Sequence, residues 1–181
     1  MKLRYYGVAL LVAAVITFSA TSCKEEWDAH YTSLPSDKSN LNLYEYIKSQ
    51  PDLSTFSQML QITGYDSILS KPQTFTVWAL TNDALTGVNT ANPQLAMEIV
   101  KNHITRFSYS TSGISTSIML MLNSKLIPFE KLADGYYFNR IKIIQPNQAT
   151  SNGILHKINQ YAPYKQNIWE FINSAAELDS L

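Results

Sequence analysis

The chain has 181 residues, in which 14 Lys and Arg are balanced by 14 Asp and Glu. Setting aside residues 1–22 removes Lys2 and Arg4 and no acid, so the remainder carries 12 basic and 14 acidic side chains, a formal charge of −2. That balance excludes the basic surface that steers a domain to nucleic acid or anionic lipid. A single cysteine excludes an intramolecular disulfide. The length beyond residue 22 suits one domain with its own core.

Residues 1–22 read as a signal peptide. Lys2 and Arg4 give a basic start, and Tyr5 to Phe18 form an uncharged apolar run. The run is short of the ~20 residues that a helix needs to cross the hydrocarbon core. Ser19, Ala20, Thr21 and Ser22 lead directly into Cys23. This small-residue approach resembles a bacterial lipobox, which implies that Cys23 is acylated and becomes the mature N-terminus. One acyl chain alone would hold weakly, and several hold firmly. Lys24, Glu25 and Glu26 follow. A lysine followed by two acids resembles the surface-export signal of Bacteroidetes lipoproteins. It implies an outer-membrane location with the domain facing the cell exterior.

Residues 23–40 form the lipidated tether. Within it Trp27 to Ser39 is rich in Ser, with Pro35, and lacks periodicity. The folded part spans 41–165. Asn42 with Glu45 three residues on is a variant capping box, and Leu43, Tyr44 and Ile47 put an apolar stripe on a short helix. Pro51 and Asp52 end it and start a second helix, where Leu53, Phe56, Met59 and Leu60 recur at helical spacing. Gly64 is its stop. Thr74 to Leu80 alternates as a strand, with Phe75, Val77 and Ala79 opposed to Thr74, Thr76 and Trp78. Thr81, Asn82 and Asp83 are helix-cap types, and Asn92-Pro93 opens a further helix with Leu95, Ile99 and Val100 facing inward.

After Gly113 the pattern turns to strands: Ser117 to Leu122, Lys125 to Phe129, Tyr136 to Ile144 and Gly153 to Tyr161. Asp134-Gly135 and Pro146-Asn147 supply turns. Helices first and strands later predict an α+β fold.

Two segments at a fixed separation carry a family resemblance. Thr76 to Ala84 reads T-V-W-A-L-T-N-D-A, and Asn152 to Asn159 reads N-G-I-L-H-K-I-N. They resemble the two signatures of the fasciclin (FAS1) domain, T-V-F-A-P-T-N-D-A and N-G-V-I-H-V-I-D. Lys101 to Ile104 is similar to the family's mid-domain histidine segment. The resemblance covers about Leu41 to Tyr164. It implies a wedge of β-strands packed with several helices, adhesion or extracellular interaction, and no generic enzymatic activity. Leu80 replaces the usual proline and Asn159 the usual aspartate, and the closing Leu-Pro element is reduced to Ala162-Pro163. These departures remove the expectation of a charged pair at the end of the last strand. The mid-domain pair is Asn102-His103. The tyrosine that some animal members use there for integrin binding is missing, so that role is not carried over.

Residues 166–181 read as a C-terminal helix that resembles the start of a second FAS1 domain. Asn167 to Ser174 echoes Asn42 to Ser49, with the same Asn-x-x-Glu opening. As the head of a second domain, the helix would expose Ile168, Trp169, Phe171 and Ile172. As a closing helix, it would bury them.

Candidate chemistry is sparse. His30, His103 and His156 do not share a spacing with a carboxylate that suggests zinc. Neither a Gly-x-Ser-x-Gly elbow nor a Gly-rich phosphate loop occurs. His156, between apolar neighbours, reads as a structural histidine. Asn82-Asp83 lacks the acidic loop of a calcium site and reads as a cap. In Tyr136-Tyr137-Phe138, the first and third share a strand face. The sequence thus predicts no catalysis, no metal and no cofactor. The expected role is a membrane-anchored extracellular interaction or adhesion module, whose ligand is an unknown protein, matrix component or glycan. The alternative is an accessory ligand-binding lipoprotein of an outer-membrane glycan or peptide uptake system.

Overall fold

The computed structural model describes residues 38–163 together with Ile168, Phe171 and Ile172. The expected signal peptide, Cys23, Lys24, Glu25, Glu26, His30, Trp169 and most of the C-terminal segment lie outside the described residues. Ile168, Phe171 and Ile172 are helical and exposed.

Local signals set the helices. Asn42 Oδ1 accepts the Glu45 N–H at 2.9 Å and Glu45 Oε2 accepts the Asn42 N–H at 3.0 Å, so the capping box opens α1, Leu43–Ser49. Pro51 cannot continue that helix and instead starts a single 3₁₀ turn, Pro51–Leu53, which runs into α2, Ser54–Ile62. Leu53, Phe56, Met59 and Leu60 are fully buried, as their spacing predicts. Gly64 ends α2 in the left-handed conformation at φ 73°. It also opens α3, Tyr65–Leu69, which is too short for periodicity to reveal. Asn92 caps α4, Pro93–Asn102, by accepting the Gln94 and Leu95 N–H groups at 2.9 and 3.1 Å. Ala96, Ile99, Val100 and Asn102 are its buried residues, while Leu95 is half-buried.

Among the described residues there are seven strands, in chain order β1 Phe75–Leu80, β2 Ile104–Arg106, β3 Thr116–Leu120, β4 Leu126–Leu132, β5 Gly135–Phe138, β6 Ile141–Thr150 and β7 Gly153–Ile158. In space the order is β2-β1-β7-β6-β5-β4-β3. β1 and β7 pair in parallel, and every other neighbouring pair is antiparallel. The two ends of this sheet meet. Thr105 bridges Met121, the Leu122 N–H donates to the Ile104 carbonyl at 2.9 Å, and Thr105 Oγ1 donates to the Leu120 carbonyl at 2.6 Å. The sheet is therefore curled nearly into a ring.

Several expectations are corrected. Tyr136 to Ile144 is two strands, β5 and β6, because Asn139 and Arg140 both adopt positive φ (49° and 67°) and close a tight hairpin. Pro146-Asn147 is not a turn between strands. It sits inside β6, where the register against β7 slips twice and Asn147 takes φ 58°. Thr81-Asn82-Asp83 does not cap a helix of its own: a 3₁₀ turn follows, Asp83–Leu85, without a side-chain cap. β1 shows no half-buried alternation, since all six residues are buried. It is a central strand, with both faces covered.

The two faces of β1 and β7 serve different cores. On one face Trp78 stacks on Phe138 at 4.6 Å between ring centroids and on His156 at 5.5 Å, and meets Phe129 edge-on at 5.8 Å. This aromatic cluster fills the inside of the curl. On the other face Gly153 lies against Leu43 of α1, and Lys157 reaches the Pro51–Leu53 turn. The helices roof that face.

Candidate functional site

The signature residues are spent on holding the fold together. Asn152 Oδ1 accepts the Leu43 N–H at 2.8 Å, and its Nδ2 donates to the carbonyls of Leu69 and Lys71, each at 2.7 Å. One buried amide thus pins α1 and α3 to the start of β7. Gly153 follows because a Cβ there would lie 2.1 Å from the Phe75 carbonyl oxygen and 2.7 Å from Leu43 Cδ1. The close approach of β1, not a positive φ, demands glycine. Asn82 accepts the Thr55 N–H at 3.0 Å and donates to the Pro51 carbonyl at 3.0 Å. It acts as a cap, but for the start of α2 across space. Thr76 Oγ1 donates to the Phe107 carbonyl and accepts the Tyr109 N–H, both at 2.8 Å.

The last strand carries a charged pair through Lys157, two residues before Asn159. Lys157 Nζ lies 3.1 and 3.0 Å from the two carboxylate oxygens of Asp52 and 3.1 Å from Gln50 Oε1. The lysine is buried and the aspartate half-exposed.

Both described histidines are structural, and their partners assign the proton. The Asn147 N–H can only donate, so His156 Nδ1 accepts it at 3.2 Å and Nε2–H donates to the Tyr109 carbonyl at 2.9 Å. His103 Nδ1–H donates to the Ile99 carbonyl at 2.8 Å, and its buried Nε2 has no hydrogen-bond partner among the described residues. Burial pushes each pKa down to about 4, against a smaller upward pull from the accepting carbonyl. Asn102 is also buried, bonded to Asn123 and to the Ala162 carbonyl, so the Asn102-His103 pair offers nothing to an outside ligand. No cluster of three His, Cys, Asp or Glu suited to a metal occurs among the described residues.

What remains is surface. A groove of about 540 Å³ runs along α4, lined by Pro93, Met97, Lys101 and Asn123 among others. One of about 450 Å³ lies over Arg140, Tyr161 and Pro163. A more distinctive feature is the outside of the β3–β4 hairpin. Ile118 stands opposite Pro128 and Leu120 opposite Leu126. Ile118 and Leu120 are each 60 % exposed and Leu126 is 68 % exposed. No sequence motif marks this face. Met119 and Met121 on the inner face are as apolar as Ile118 and Leu120 on the outer one, so a period of two cannot say which side is wet. Phe107 is 72 % exposed at φ 77°.

The fold is a curled mixed sheet roofed by short helices, in which Thr76, Asn82, Asn152 and His156 make internal hydrogen bonds. Residues 51–162 match the family model of the fasciclin domain, and the chain belongs to that family. Human periostin (Homo sapiens) is 24 % identical over 136 residues, which cover 70 % of this chain and 16 % of periostin. The solved FAS1 domain pair of the insect cell adhesion molecule fasciclin I superposes with a TM-score of 0.58 at 17 % identity, covering 70 % of this chain and 52 % of that one. The likeness to that structure is one of fold. The chain spans about half of it and a small part of periostin.

Proposed function

We propose that this chain is an adhesion-type interaction module, held at the outer membrane by acyl groups on Cys23 and facing the cell exterior, with no catalytic role. The observation that carries this reading is the fasciclin-domain match over 51–162, in which the signature side chains Thr76, Asn82, Asn152 and His156 are all turned to internal bonding. The domain is left to act through its exterior. The matched insect protein is a cell adhesion molecule, which supports the same class of role here. The anchor rests on the sequence around Cys23. Labelling cells with an alkyne fatty acid should mark the wild type and not Cys23→Ala, and equal labelling would refute the anchor. Replacing Lys24, Glu25 and Glu26 with alanine should leave the protein anchored but shielded from protease added to intact cells. Unchanged digestion would make the three residues an ordinary tether.

A second reading draws on the same Cys23-Lys24-Glu25-Glu26 sequence: an accessory lipoprotein that holds a glycan or peptide beside an outer-membrane transporter. A transporter pair encoded next to this gene would favour it over adhesion.

A further inference from the structure

We infer that a polar pocket at the carboxyl ends of β1 and β7 receives an arginine side chain of a protein partner. The pocket has a volume of about 340 Å³ and is lined by Asp52, Thr81, Asn82, Asp83, Ile144 and Asn159. Four separate parts of the chain meet there. The parallel ladder sets Ala79 beside Lys157 and Leu80 beside Ile158. It runs one residue further, because the Thr81 N–H donates to the Ile158 carbonyl at 3.1 Å. Side chains alternate along a strand, so Thr81 lies on the face of Ala79 and Lys157. The Asn82 N–H donates to the Asp52 carbonyl at 2.8 Å, which holds the Pro51–Leu53 turn over that face.

The pocket's side chains leave bonds unmade. Thr81 is 8 % exposed, and its buried hydroxyl has no hydrogen-bond partner among the described residues. An unbonded buried hydroxyl costs stability, and a ligand can supply the missing bond. The Asp83 carboxylate and the Asn159 amide are exposed and make no hydrogen bond or ion pair among the described residues. Asn82 differs, because its amide is spent on the Thr55 N–H and the Pro51 carbonyl. Asp52 receives Lys157 on both oxygens and keeps lone pairs to spare.

Charge selects the ligand. Asp52 and Asp83 against Lys157 leave the pocket one negative charge, which rejects an anion and favours a single cation. A divalent metal fits poorly. The Lys157 ammonium already holds Asp52, so Asp83 is the one free carboxylate, and a hard dication needs several oxygen ligands. A sugar ring finds no aromatic platform, because Ile144, half-exposed, is the apolar residue of the lining. A guanidinium matches what is present. It has five donors and no acceptor, and it sheds water more readily than an ammonium does. Asp83, Asn159 and Thr81 offer it acceptors from two segments, and Ile144 can carry the apolar stem. This inference rests on the reading of the domain as an interaction module and names the chemistry of its partner.

NMR titration of the full chain, isotope-labelled and purified in detergent, tests this. The probes are acetyl-Gly-Arg-Gly-amide and the same peptide with neutral citrulline in place of arginine. The arginine peptide should shift the backbone amides of Thr81, Asn82 and Asp83 and the side-chain amide of Asn159, and the citrulline peptide should not. Asp83→Asn should weaken binding roughly ten-fold, and Asn159→Asp, which adds a free carboxylate, should tighten it several-fold. Thr81→Val should weaken binding about three-fold without lowering the melting midpoint of the unliganded chain, since the hydroxyl has no internal partner to lose. Melting of each variant checks that it is folded. Equal shifts from both peptides, an unmoved Thr81–Asp83 segment, or unchanged affinity in both carboxylate variants would overturn the proposal. Calcium chloride or maltohexaose moving these signals where the arginine peptide does not would make the pocket a metal or sugar site and overturn the arginine assignment. The titration does not depend on anchoring or export, so its failure strikes the pocket alone, whereas the labelling and protease tests strike the anchor and its orientation.

Discussion

Acidification from about pH 7.5 to about pH 5 should remove a measurable part of this domain's stability through His103 and His156. Each imidazole is buried and neutral, with its pKa lowered from 6.5 to about 4. The sign follows from proton uptake. Between those values the unfolded chain binds protons that the folded chain refuses, so stability is full above about pH 6.5 and falls as the pH drops toward 4. At about pH 5 the unfolded imidazole is nearly all protonated and the folded one about one-tenth protonated. At about 1.4 kcal/mol per pH unit this comes to roughly 2 kcal/mol for each histidine and roughly 4 for the pair. Against a typical total of about 5–15 kcal/mol that loss is large. Urea unfolding followed by tryptophan fluorescence at a series of pH values would measure it. His103→Gln with His156→Gln should lower stability at neutral pH and flatten the pH dependence, because glutamine donates and accepts without titrating. A folded-state histidine at position 103 or 156 titrating near 6.5 by NMR, or equal stability at both ends of the range, would refute the reasoning.

Gly153→Ala should destabilise by about 1–3 kcal/mol or more, because its methyl would drive β7 and β1 apart at the Phe75 carbonyl; an unchanged melting midpoint would contradict the close approach. Asn152→Ala orphans one N–H and two carbonyls, at about 1–3 kcal/mol for each group that stays dry, so denaturation should show a larger loss than Asn82→Ala, expected at about 0.5–2 kcal/mol. Asn82→Asp keeps the acceptor for the Thr55 N–H and should recover part of that loss. Asp52→Ala should cost more than Lys157→Met, since the first leaves a buried ammonium and the second removes it; the reverse order in a pair of melts would show that the ion pair is not what holds β7 to the Pro51–Leu53 turn.

The features legible in the sequence are those whose cause lies within a few residues. Asn42 with Glu45, Asn92 with Pro93, and Gly64 each bond to or shape the backbone beside them, so cap and stop can be read directly. The two signature segments likewise announced the fasciclin domain. The sequence also placed Asn82 among cap residues, but could not say whose cap it is, because Thr55 is 27 residues away and only folding brings it near. Lys157 and Asp52 are 105 residues apart, and nothing local marks them as partners. Asn139-Arg140 lacks the glycine that advertises a tight hairpin, and Pro146-Asn147 looks like a turn although the neighbouring β7 holds it as a bulge. The curl of the sheet rests on Thr105 meeting Leu120 and Met121. Local backbone preference determines caps and strand propensity. Which strand edge is sealed and which apolar face stays wet depends on contacts between distant segments, which only the tertiary structure decided.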